Sequence, residues 1–562
     1  CIRDRNSLKD AKDVAKYGLG GLLSGGGGYP EDNNTAEGWA EMVDGFQETA
    51  MGSHLGIPLI YGVDAVHGHN NLAGAVIFPH NIGLGAANNP ELMTEIGRIT
   101  AAEMIATGIY WNYAPAVSVP QDIRWGRTYE GYSEKSDLVV ALAPAYLRGL
   151  QGDDVGAADT VVGTPKPYVG DGGTAFGSST TDDYLLDQGD TQVDGTTLRA
   201  LHLPPYPAVI DAGARSIMIS FSSWNGIKMH GNQNLISDIL KGELGFDGFV
   251  VSDWAGIDQI DPDYYTAVVS AINAGIDMNM VPYDYELFIN TMLEAVENGD
   301  ITVERIDEAV TQILTVKMEM GLFERPYSNP DLLPLVGSDE HRAVAREAVA
   351  QSLVLLKNGG PAPLPLSPDL PTFYVAGSAA DDIGLQSGGW TIEWQGSEGA
   401  ITDGTTILEA IQATVSPDTT VVYHPRAQFD DLPVAESIVC IAAVGEKPYA
   451  EGWGDIAEPA LPANDQMVLD RMRASCDQLT VVLITGRPVI ISDQIDSWDA
   501  LLAAWLPGTE GQGVADVLFG ARPFSGKLPY TWPRTVKQLP FDFETLDPAD
   551  PLFPFGYGLT AE

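Results

Sequence analysis

The stretch Gly248-Phe249-Val250-Val251-Ser252-Asp253-Trp254 is a run of β-branched and aromatic residues that leads into an acid and a tryptophan. Such a run favours a short buried strand. The helical pattern Asn232–Leu244 precedes it, and strand-like and helix-like segments alternate in the same way through the first half of the chain. Strands that alternate with helices are typical of a parallel sheet.

This alternation continues over about 320 residues, and its simplest closed form is a (β/α) barrel. The other strand-like segments are Gly20–Leu23, Leu59–Tyr61 and Ser216–Ser220. The other helical patterns are Pro90–Thr107, Ser136–Gln151 and Tyr285–Glu297. The stretch Gly152–Asp194 has little pattern and is predicted to form long loops.

A proline-rich break follows, with Pro326 and Pro330 close together. Proline fixes φ and removes a hydrogen-bond donor, so this break predicts a linker over residues 326–338. We therefore expect one domain over 1–325 and another over 339–562, which begins with a helix from Asp339 to about Gln351. The predicted strands of the second domain are Thr372–Ala376, Thr420–Tyr423, Ser437–Val444 and Gln478–Ile484, and its predicted helices are Thr406–Thr414, Asp465–Ser475 and Gly513–Phe519.

The charge is strongly acidic, with 30 basic and 77 acidic residues and a net charge of −47. This balance argues against nucleic acid and anionic membranes as partners, because both are bound through lysine and arginine. No apolar run reaches the roughly 18 residues of a membrane span. Cys1 suggests that the natural N-terminus is missing, and Cys440 and Cys476 are either two buried thiols or one bridge.

Asp253 follows the strand that opens this section, and carboxyl ends of barrel strands carry active-site residues. A carboxylate there can attack an anomeric carbon, and the indole of Trp254 can cover the apolar face of a sugar ring. The alternative is an aspartate that caps the next helix.

Other polar loops follow strands in the same way. Asp64 can accept two sugar hydroxyls, and Lys166 can offer an ammonium group to a hydroxyl. Arg124 and Arg127 either serve a ligand or form structural ion pairs. His67 and His69 lie in the Asp64 loop, but without a third ligand nearby they are expected to be structural, so no metal site is predicted.

Two glycine-rich loops of the second half complete the set. One carries Trp390 and Trp394, which either pack in the core or form an exposed sugar clamp. The other follows an apolar strand and carries Glu446 and Glu451, one of which can serve as a general acid.

Together these motifs resemble glycoside hydrolase family 3 over nearly the whole chain. The motifs that carry the resemblance are Gly62–Asn71, Arg124–Glu130, Val251–Trp254, Ser352–Asn358, Gly388–Trp394, Gly445–Asp455, Gly508–Gly511, Gly526–Pro529 and Phe555–Leu559. The resemblance implies an α/β fold with an N-terminal TIM-like (β/α)8 barrel and a C-terminal (α/β)6 sandwich. It also implies a retaining exo-acting hydrolase that releases glucose from the non-reducing ends of 1,3- and 1,4-linked β-glucans and their oligosaccharides.

The resemblance also assigns roles to residues. It makes Asp253 the nucleophile and Glu451 the acid/base. The side chains that it places around the sugars are Asp64, Arg127, Lys166 and Met218 at the terminal glucose, Phe221 where the family usually has tyrosine, and Trp254 and Trp394 on either side of the next sugar. No cofactor is required by this mechanism, and secretion or a periplasmic location follows from polymeric substrates.

The chemistry adds three expectations. The two carboxyls of a retaining enzyme lie about 5–5.5 Å apart, so both domains must contribute to one cleft. Arg127 or Lys166 is expected to keep Asp253 ionised, and partial burial by Trp453 or the charge of Asp253 is expected to keep Glu451 protonated. Ala255 and Gln259 depart from the family pattern, which predicts a looser outer subsite and tolerance of several linkages. Pro167 stands where the family usually has histidine and offers no imidazole hydrogen bond to the glucose, which predicts weaker binding of that sugar unless a neighbouring side chain substitutes.

Three alternatives stay open from the sequence. The first two are a β-xylosidase and a glycoside phosphorylase on the same scaffold. The third is a carbohydrate-binding protein that has lost catalysis.

Overall fold

Strands of the first half pair in parallel in the order in which they occur along the chain. The structure is a computed structural model that describes residues 2–30, 33–181, 183–429 and 438–561, so Cys1 lies outside the described residues. The paired strands are β1 (Ile2–Asp4), β2 (Gly21–Ser24), β3 (Ile60–Val63), β4 (Trp111–Asn112) and β5 (Val162–Gly163). A small separate sheet consists of β6 (Asp190–Thr191), β8 (Ser223–Trp224) and β9 (Ile227–Lys228).

The series continues with a parallel pair, β7 (Ser216–Met218) and β10 (Phe249–Val251). Isolated parallel bridges join Tyr168 to Ile219 and Val251 to Met278. These contacts extend the parallel series beyond β5 to β7 and β10. The bridge at Met278 marks the position of the eighth strand. The first unit is the TIM-like (β/α)8 barrel that the sequence predicts.

Helices follow these strands as the sequence pattern requires. They are α1 (Asp13–Tyr17), α2 (Ala36–Met51), α3 (Asn81–Ala87), α4 (Pro90–Ala106), α5 (Ser136–Gln151), α6 (Gly195–Thr197), α7 (Pro205–Asp211), α8 (Tyr264–Ala274), α9 (Tyr285–Asn298) and α10 (Val303–Glu319). The helix predicted over Asn232–Leu244 is a π-helix over Asn234–Glu243. Side-chain caps begin several of them: Asp263, Asp284 and Thr302 each accept a backbone N–H of the first turn of α8, α9 and α10.

Aromatic packing fills the barrel interior beside β4. Trp111 meets Tyr113 and Phe249 edge to face, with ring centroids 4.8 Å and 5.4 Å away. Its indole donates to the Thr164 hydroxyl at 2.7 Å. Gly62 of β3 has to be glycine here, because an added Cβ would lie 2.3 Å from the Tyr113 oxygen.

A six-stranded sheet forms the second unit, in the order β11-β16-β15-β14-β12-β13. Its strands are β11 (Val354–Asn358), β12 (Thr372–Ala376), β13 (Thr420–Tyr423), β14 (Val439–Gly445), β15 (Gln478–Ile484) and β16 (Ala500–Trp505), and its helices are α11 (Asp339–Ser352), α12 (Ile383–Ser387), α13 (Ile407–Thr414), α14 (Ala463–Ser475) and α15 (Gln512–Leu518). Among these described strands, β11 and β16 pair antiparallel and the other neighbours pair in parallel. This is the predicted (α/β)6 sandwich.

One predicted strand of this sheet has different ends in the structure, and its cysteines have a definite state. The strand predicted over Ser437–Val444 runs from Val439 to Gly445, and Ser437 lies outside the described residues. Cys440 in β14 and Cys476 at the end of α14 form a disulfide with a Cα–Cα distance of 6.0 Å. The bridged alternative, which the sequence left open, is therefore the one that the structure contains.

Contacts divide the chain into two compact units. The first contains residues up to Ala75 together with Met93–Val119 and Val139–Val336. The second contains Val76–Leu92, Pro120–Leu138 and the chain from Gly337 onward. Arg124 and Arg127 therefore belong to the second unit, although they precede the predicted linker over residues 326–338. Within that linker, residues Pro330–Leu335 form a 3-10 helix.

Candidate active site

The backbone of Asp253 is held firmly just after β10. Its N–H donates to Nε2 of His230 at 2.9 Å, and its carbonyl accepts the Ser252 hydroxyl at 3.0 Å. Burial lowers the pKa of His230 to about 3, so the ring is neutral and its Nε2 can act as an acceptor. Sequence reasoning missed His230, because only the fold brings it beside residue 253.

The carboxylate of Asp253 does not cap the helical turn that follows. The 3-10 helix Gly256–Gln259 has Ala255 at its N-cap position and no side-chain cap. Oδ1 of Asp253 instead accepts the Trp254 N–H at 2.6 Å, and the side chain is only partly buried. This arrangement fixes one oxygen of a carboxylate at the carboxyl end of a barrel strand.

Asp64 and Lys166 form an ion pair in the same unit. Their charged atoms lie 2.7 Å apart, and both residues follow barrel strands, β3 and β5. Asn112 of β4 bonds both backbone groups of Ala65, at 3.1 Å and 2.9 Å, and so holds the loop that carries Asp64. The structure thus brings together the carboxylate and the ammonium group of two residues that the sequence singles out.

The remaining predicted residues of this unit surround the strand ends. Met218 is the last residue of β7 and is buried, whereas Phe221 meets the His230 ring edge to face at 5.9 Å. The indole N–H of Trp254 donates to the hydroxyl of Tyr283 at 3.0 Å, and Tyr283 is 62% exposed. Tyr283 was not predicted, because no pattern in its own segment marks it.

Gln259, one of the departures from the family pattern, has defined partners. Its side chain accepts from Lys228 at 2.8 Å and donates to Gln188 at 2.9 Å. Burial lowers the pKa of Lys228. The position is therefore occupied by a polar network that involves an amine.

Arg127 joins two carboxylates in the second unit. Its Nη2 donates to Glu130 at 2.9 Å, and its Nη1 donates to Glu451 at 3.1 Å. The indole of the buried Trp390 donates to the other oxygen of Glu130 at 3.0 Å. Trp390 thus has an internal partner and is not the exposed aromatic of the sugar-clamp interpretation, whereas Trp394 is partly exposed.

The two glutamates of the 445–455 loop have very different surroundings. Glu446 forms an ion pair with Arg487 at 3.1 Å and accepts hydrogen bonds from Thr485, Gly486 and Tyr449. Its carboxylate is therefore committed to holding the loop. The side chain of Glu451 is 20% exposed, and its described partner is Arg127.

The backbone at Glu451 is strained. Its φ is 54°, in the left-handed region that costs a residue with a Cβ about 1–2 kcal/mol. The close neighbour is Gly126, where an added Cβ would lie 1.8 Å from the Glu451 carbonyl oxygen. Trp453, which is predicted from the sequence to bury Glu451 in part, is itself 69% exposed; a described charged neighbour of Glu451 in its own unit is Arg127.

Comparisons with known proteins settle the family. The glycosyl hydrolase family 3 N terminal domain matches residues 2–316, and the glycosyl hydrolase family 3 C-terminal domain matches residues 353–561. The chain belongs to glycosyl hydrolase family 3. It is therefore a glycoside hydrolase, as the sequence predicts.

Relatives of this family 3 chain include glucosidases and a glucanase. It is 32% identical to the lysosomal beta glucosidase of Dictyostelium discoideum, over 93% of this chain and 67% of that protein. It is 31% identical to the periplasmic beta-glucosidase of Salmonella typhimurium, over 90% of this chain and 72% of that one. The crystal structure of an exo-1,3/1,4-beta-glucanase from a Pseudoalteromonas species matches with a TM-score of 0.92 and 38% identity, over 100% of this chain and 71% of that chain.

His69 of this family 3 chain, in the loop that carries Asp64, has structural surroundings. His69 is buried, bonds the Thr107 hydroxyl at 3.0 Å and meets Trp39 edge to face, and burial lowers its pKa to about 3. Within residues 2–30, 33–181, 183–429 and 438–561, no group of three or more His, Cys, Asp or Glu side chains has an arrangement suited to a metal ion. No helix of the described chain is long and apolar enough to cross a membrane.

Proposed function

We propose that this glycoside hydrolase is exo-acting, retains configuration and releases glucose from the non-reducing ends of β-1,3- and β-1,4-linked glucans and oligosaccharides. The observation that carries the proposal is Asp253, a partly exposed carboxylate fixed at a barrel strand end. The names of the relatives, two β-glucosidases and an exo-1,3/1,4-β-glucanase, support the β-glucoside substrate. They do not favour a β-xylosidase.

Asp253 is proposed as the nucleophile. One carboxylate oxygen forms a bond to the anomeric carbon while the bond from that carbon to the leaving oxygen breaks. The Trp254 N–H holds Oδ1 at 2.6 Å, which orients the carboxylate without a mobile side chain. Neutral His230 accepts the backbone N–H of the same residue.

Glu451 is proposed as the acid/base. It gives its proton to the leaving oxygen in the first step and takes a proton from water in the second, when water displaces Asp253 from the anomeric carbon. Glu446 has the same side chain in the same loop, but four groups already bind its carboxylate, and it is 12% exposed against 20% for Glu451. The more exposed glutamate is therefore the better candidate.

The binding of the terminal glucose is proposed to use Asp64, Lys166, Arg127, Met218 and Phe221. The Asp64–Lys166 pair offers both an acceptor and a donor to neighbouring hydroxyls. Trp254 and Trp394 are proposed to flank the following sugar. Both indoles are only partly buried, so each has a surface that can pack against a ring.

An oxidising compartment outside the cytoplasm is proposed as the location. The Cys440–Cys476 disulfide is typical of secreted and periplasmic proteins. The Dictyostelium relative is named lysosomal and the Salmonella relative periplasmic, which agrees with this placement.

The nucleophile is tested by substitution and by trapping. We expect Asp253→Ala to lose at least about a thousandfold in kcat on 2,4-dinitrophenyl β-glucoside, because the substitution removes the carboxylate that is proposed to form the intermediate. A 2-deoxy-2-fluoro glucoside should label the wild-type protein on the peptide that contains Asp253. A label on another carboxylate, or equal rates for the two proteins, would exclude Asp253.

The acid/base and the reaction type have their own test. Glu451→Ala should keep much of its activity on 2,4-dinitrophenyl β-glucoside, whose leaving group needs no proton, and should form β-glucosyl azide when azide is added. Glu446→Ala is the matched comparison and should give no azide product. Glucose 1-phosphate as the product in phosphate buffer would instead indicate a phosphorylase, and binding of laminaribiose without turnover would indicate a carbohydrate-binding protein.

A further inference from the structure

Trp453 is unusual among the tryptophans of this chain. All eleven lie in the described residues, and it alone is exposed, with 69% of its surface accessible. The others are buried or partly buried. Burial of a side chain of this size stabilises a fold substantially, so an indole left in water points to a use other than stability.

The backbone directly after Trp453 is held by three hydrogen bonds. The guanidinium of Arg487, itself buried, donates to the Gly454 carbonyl at 2.7 Å. The Asp455 carboxylate accepts the Gly126 N–H at 2.8 Å, and the Ile456 N–H donates to the Arg124 carbonyl at 3.0 Å. The exposed ring therefore stands on a fixed base, which is how a preformed binding surface is built.

The position of this ring relates it to the proposed acid/base. Trp453 and Glu451 share the 3-10 helix Glu451–Gly454, in which side chains two residues apart point in different directions. Glu451 turns towards Arg127, and Trp453 turns towards solvent. The exposed indole and the proposed acid thus lie on the same short turn.

The loop that carries Trp394 is hydrogen-bonded to the loop that carries Trp453. Gln395 accepts the Ala450 N–H at 2.9 Å and donates to the Ala450 carbonyl at 3.3 Å. Gly389 and Gly396 of the same loop approach Tyr449 and Pro448 so closely that an added Cβ would lie 2.0 Å and 2.7 Å from their atoms. The two loops are therefore joined and carry one partly exposed indole, Trp394, and one exposed indole, Trp453.

We propose that Trp453 is a sugar-binding platform on the leaving-group side, one or more units farther from the cleaved bond than the sugar at Trp394. The proposal rests on the proposed role of Glu451, because the acid/base protonates the leaving oxygen and so marks the side from which the chain departs. A flat indole matches the apolar C–H face of a β-linked glucose unit. A neutral glucan also meets no repulsion from a protein of net charge −47.

The test compares substrates of increasing length. For the wild type, kcat/KM on β-1,3-gluco-oligosaccharides should rise from the disaccharide to the tetrasaccharide. In Trp453→Ala this rise in kcat/KM should be about tenfold smaller, because KM for the longer substrates is higher. A change of about tenfold corresponds to the loss of one aromatic packing contact. The same variant should stay within about twofold on 4-nitrophenyl β-glucoside, and Trp453→Tyr should recover most of the loss.

Met467→Ala is the matched control, since Met467 is an exposed apolar residue of the same unit on α14. It should keep the wild-type length dependence. An unchanged length dependence in Trp453→Ala would overturn the proposal. So would an equal loss on all substrates with a lowered Tm, because this would mark a structural residue.

A binding measurement separates this proposal from the proposed function. In the Asp253→Asn background, calorimetry with the β-1,3-tetrasaccharide should give a Kd about tenfold weaker when Trp453 is also alanine. Equal Kd values would overturn the platform even if Glu451 is the acid/base. A weaker Kd for the Trp453 variant, together with no azide rescue of Glu451→Ala, would support the sugar contact at Trp453. It would also show that Glu451 is not the acid/base.

Discussion

Glu130 is expected to control how well Glu451 works, although it is not placed at the substrate. It is almost fully buried, its two oxygens accept from Trp390 at 3.0 Å and Arg127 at 2.9 Å, and Arg127 in turn holds Glu451 at 3.1 Å. In Glu130→Gln the amide oxygen can still accept one of these two hydrogen bonds. The NH2 group faces the other donor and cannot accept from it. Arg127 then loses the anion that fixes it, and its guanidinium can settle entirely on Glu451.

The size of the effect follows from this geometry. A hydrogen bond to a charged group contributes about 1.5–3 kcal/mol, and general acid catalysis supplies about 10²–10⁴-fold in rate. If Arg127 moves Glu451 away from its catalytic position, part of this acid catalysis is lost. We therefore expect the rate to fall about 10- to 100-fold on substrates whose leaving group must be protonated. On a substrate whose leaving group needs no proton, we expect less than about a threefold change.

The assay is the ratio of kcat/KM on phenyl β-glucoside to that on 2,4-dinitrophenyl β-glucoside. Glu130→Gln should lower this ratio in the same direction as Glu451→Ala, but less. A merely structural role would lower both rates together and leave the ratio constant. That result would refute the reasoning.

Glu134→Gln is the matched control for Glu130. Glu134 is a buried carboxylate of the same segment, and it accepts from the Thr531 backbone and hydroxyl at 2.8 Å and 2.7 Å. These hydrogen bonds lead to Thr531 and not to Arg127. We expect the substitution to lower Tm as much as Glu130→Gln while keeping the wild-type ratio.

Two further predictions concern stability. Replacing Cys440 and Cys476 together by serine should lower the free energy of unfolding by about 3–4 kcal/mol, from the entropy of the 36-residue separation that the bridge closes; an unchanged denaturant midpoint would contradict this. Burial lowers the pKa of Lys317 from 10.5 to about 7, so between these values the unfolded chain binds a proton that the folded chain lacks, and the free energy of unfolding should rise with pH. In Lys317→Met the free energy of unfolding should not show this rise. Parallel curves of unfolding free energy against pH for the two proteins would exclude Lys317 as its source.

The local pattern predicted much of the fold. The bounds of α5, β12, β13 and β15 agree with the sequence prediction to the residue. Each of these elements is an apolar or periodic run that is followed by polar or turn-forming residues. The strand β16 was missed, because Ala500–Trp505 is apolar throughout and such a run does not distinguish a buried strand from a helix.

The site was predicted less evenly. The strand-end acids Asp64 and Asp253 could be found, because an acid directly after an apolar strand is a local signal. The partners that hold them could not. His230 lies 23 positions before Asp253, and Asn112 lies 47 positions after Ala65, so no local pattern links either pair.

The sequence by itself determined the family, the two kinds of sheet and the acids at the strand ends, because each depends on motifs or periodicities within a few residues. Only the tertiary structure tied Glu446 to Arg487, paired Arg127 with a residue 324 positions away, closed the disulfide and left Trp453 in water. The physical reason is that burial and hydrogen bonding depend on neighbours in space. Chain folding brings those neighbours together from positions that carry no mark of one another.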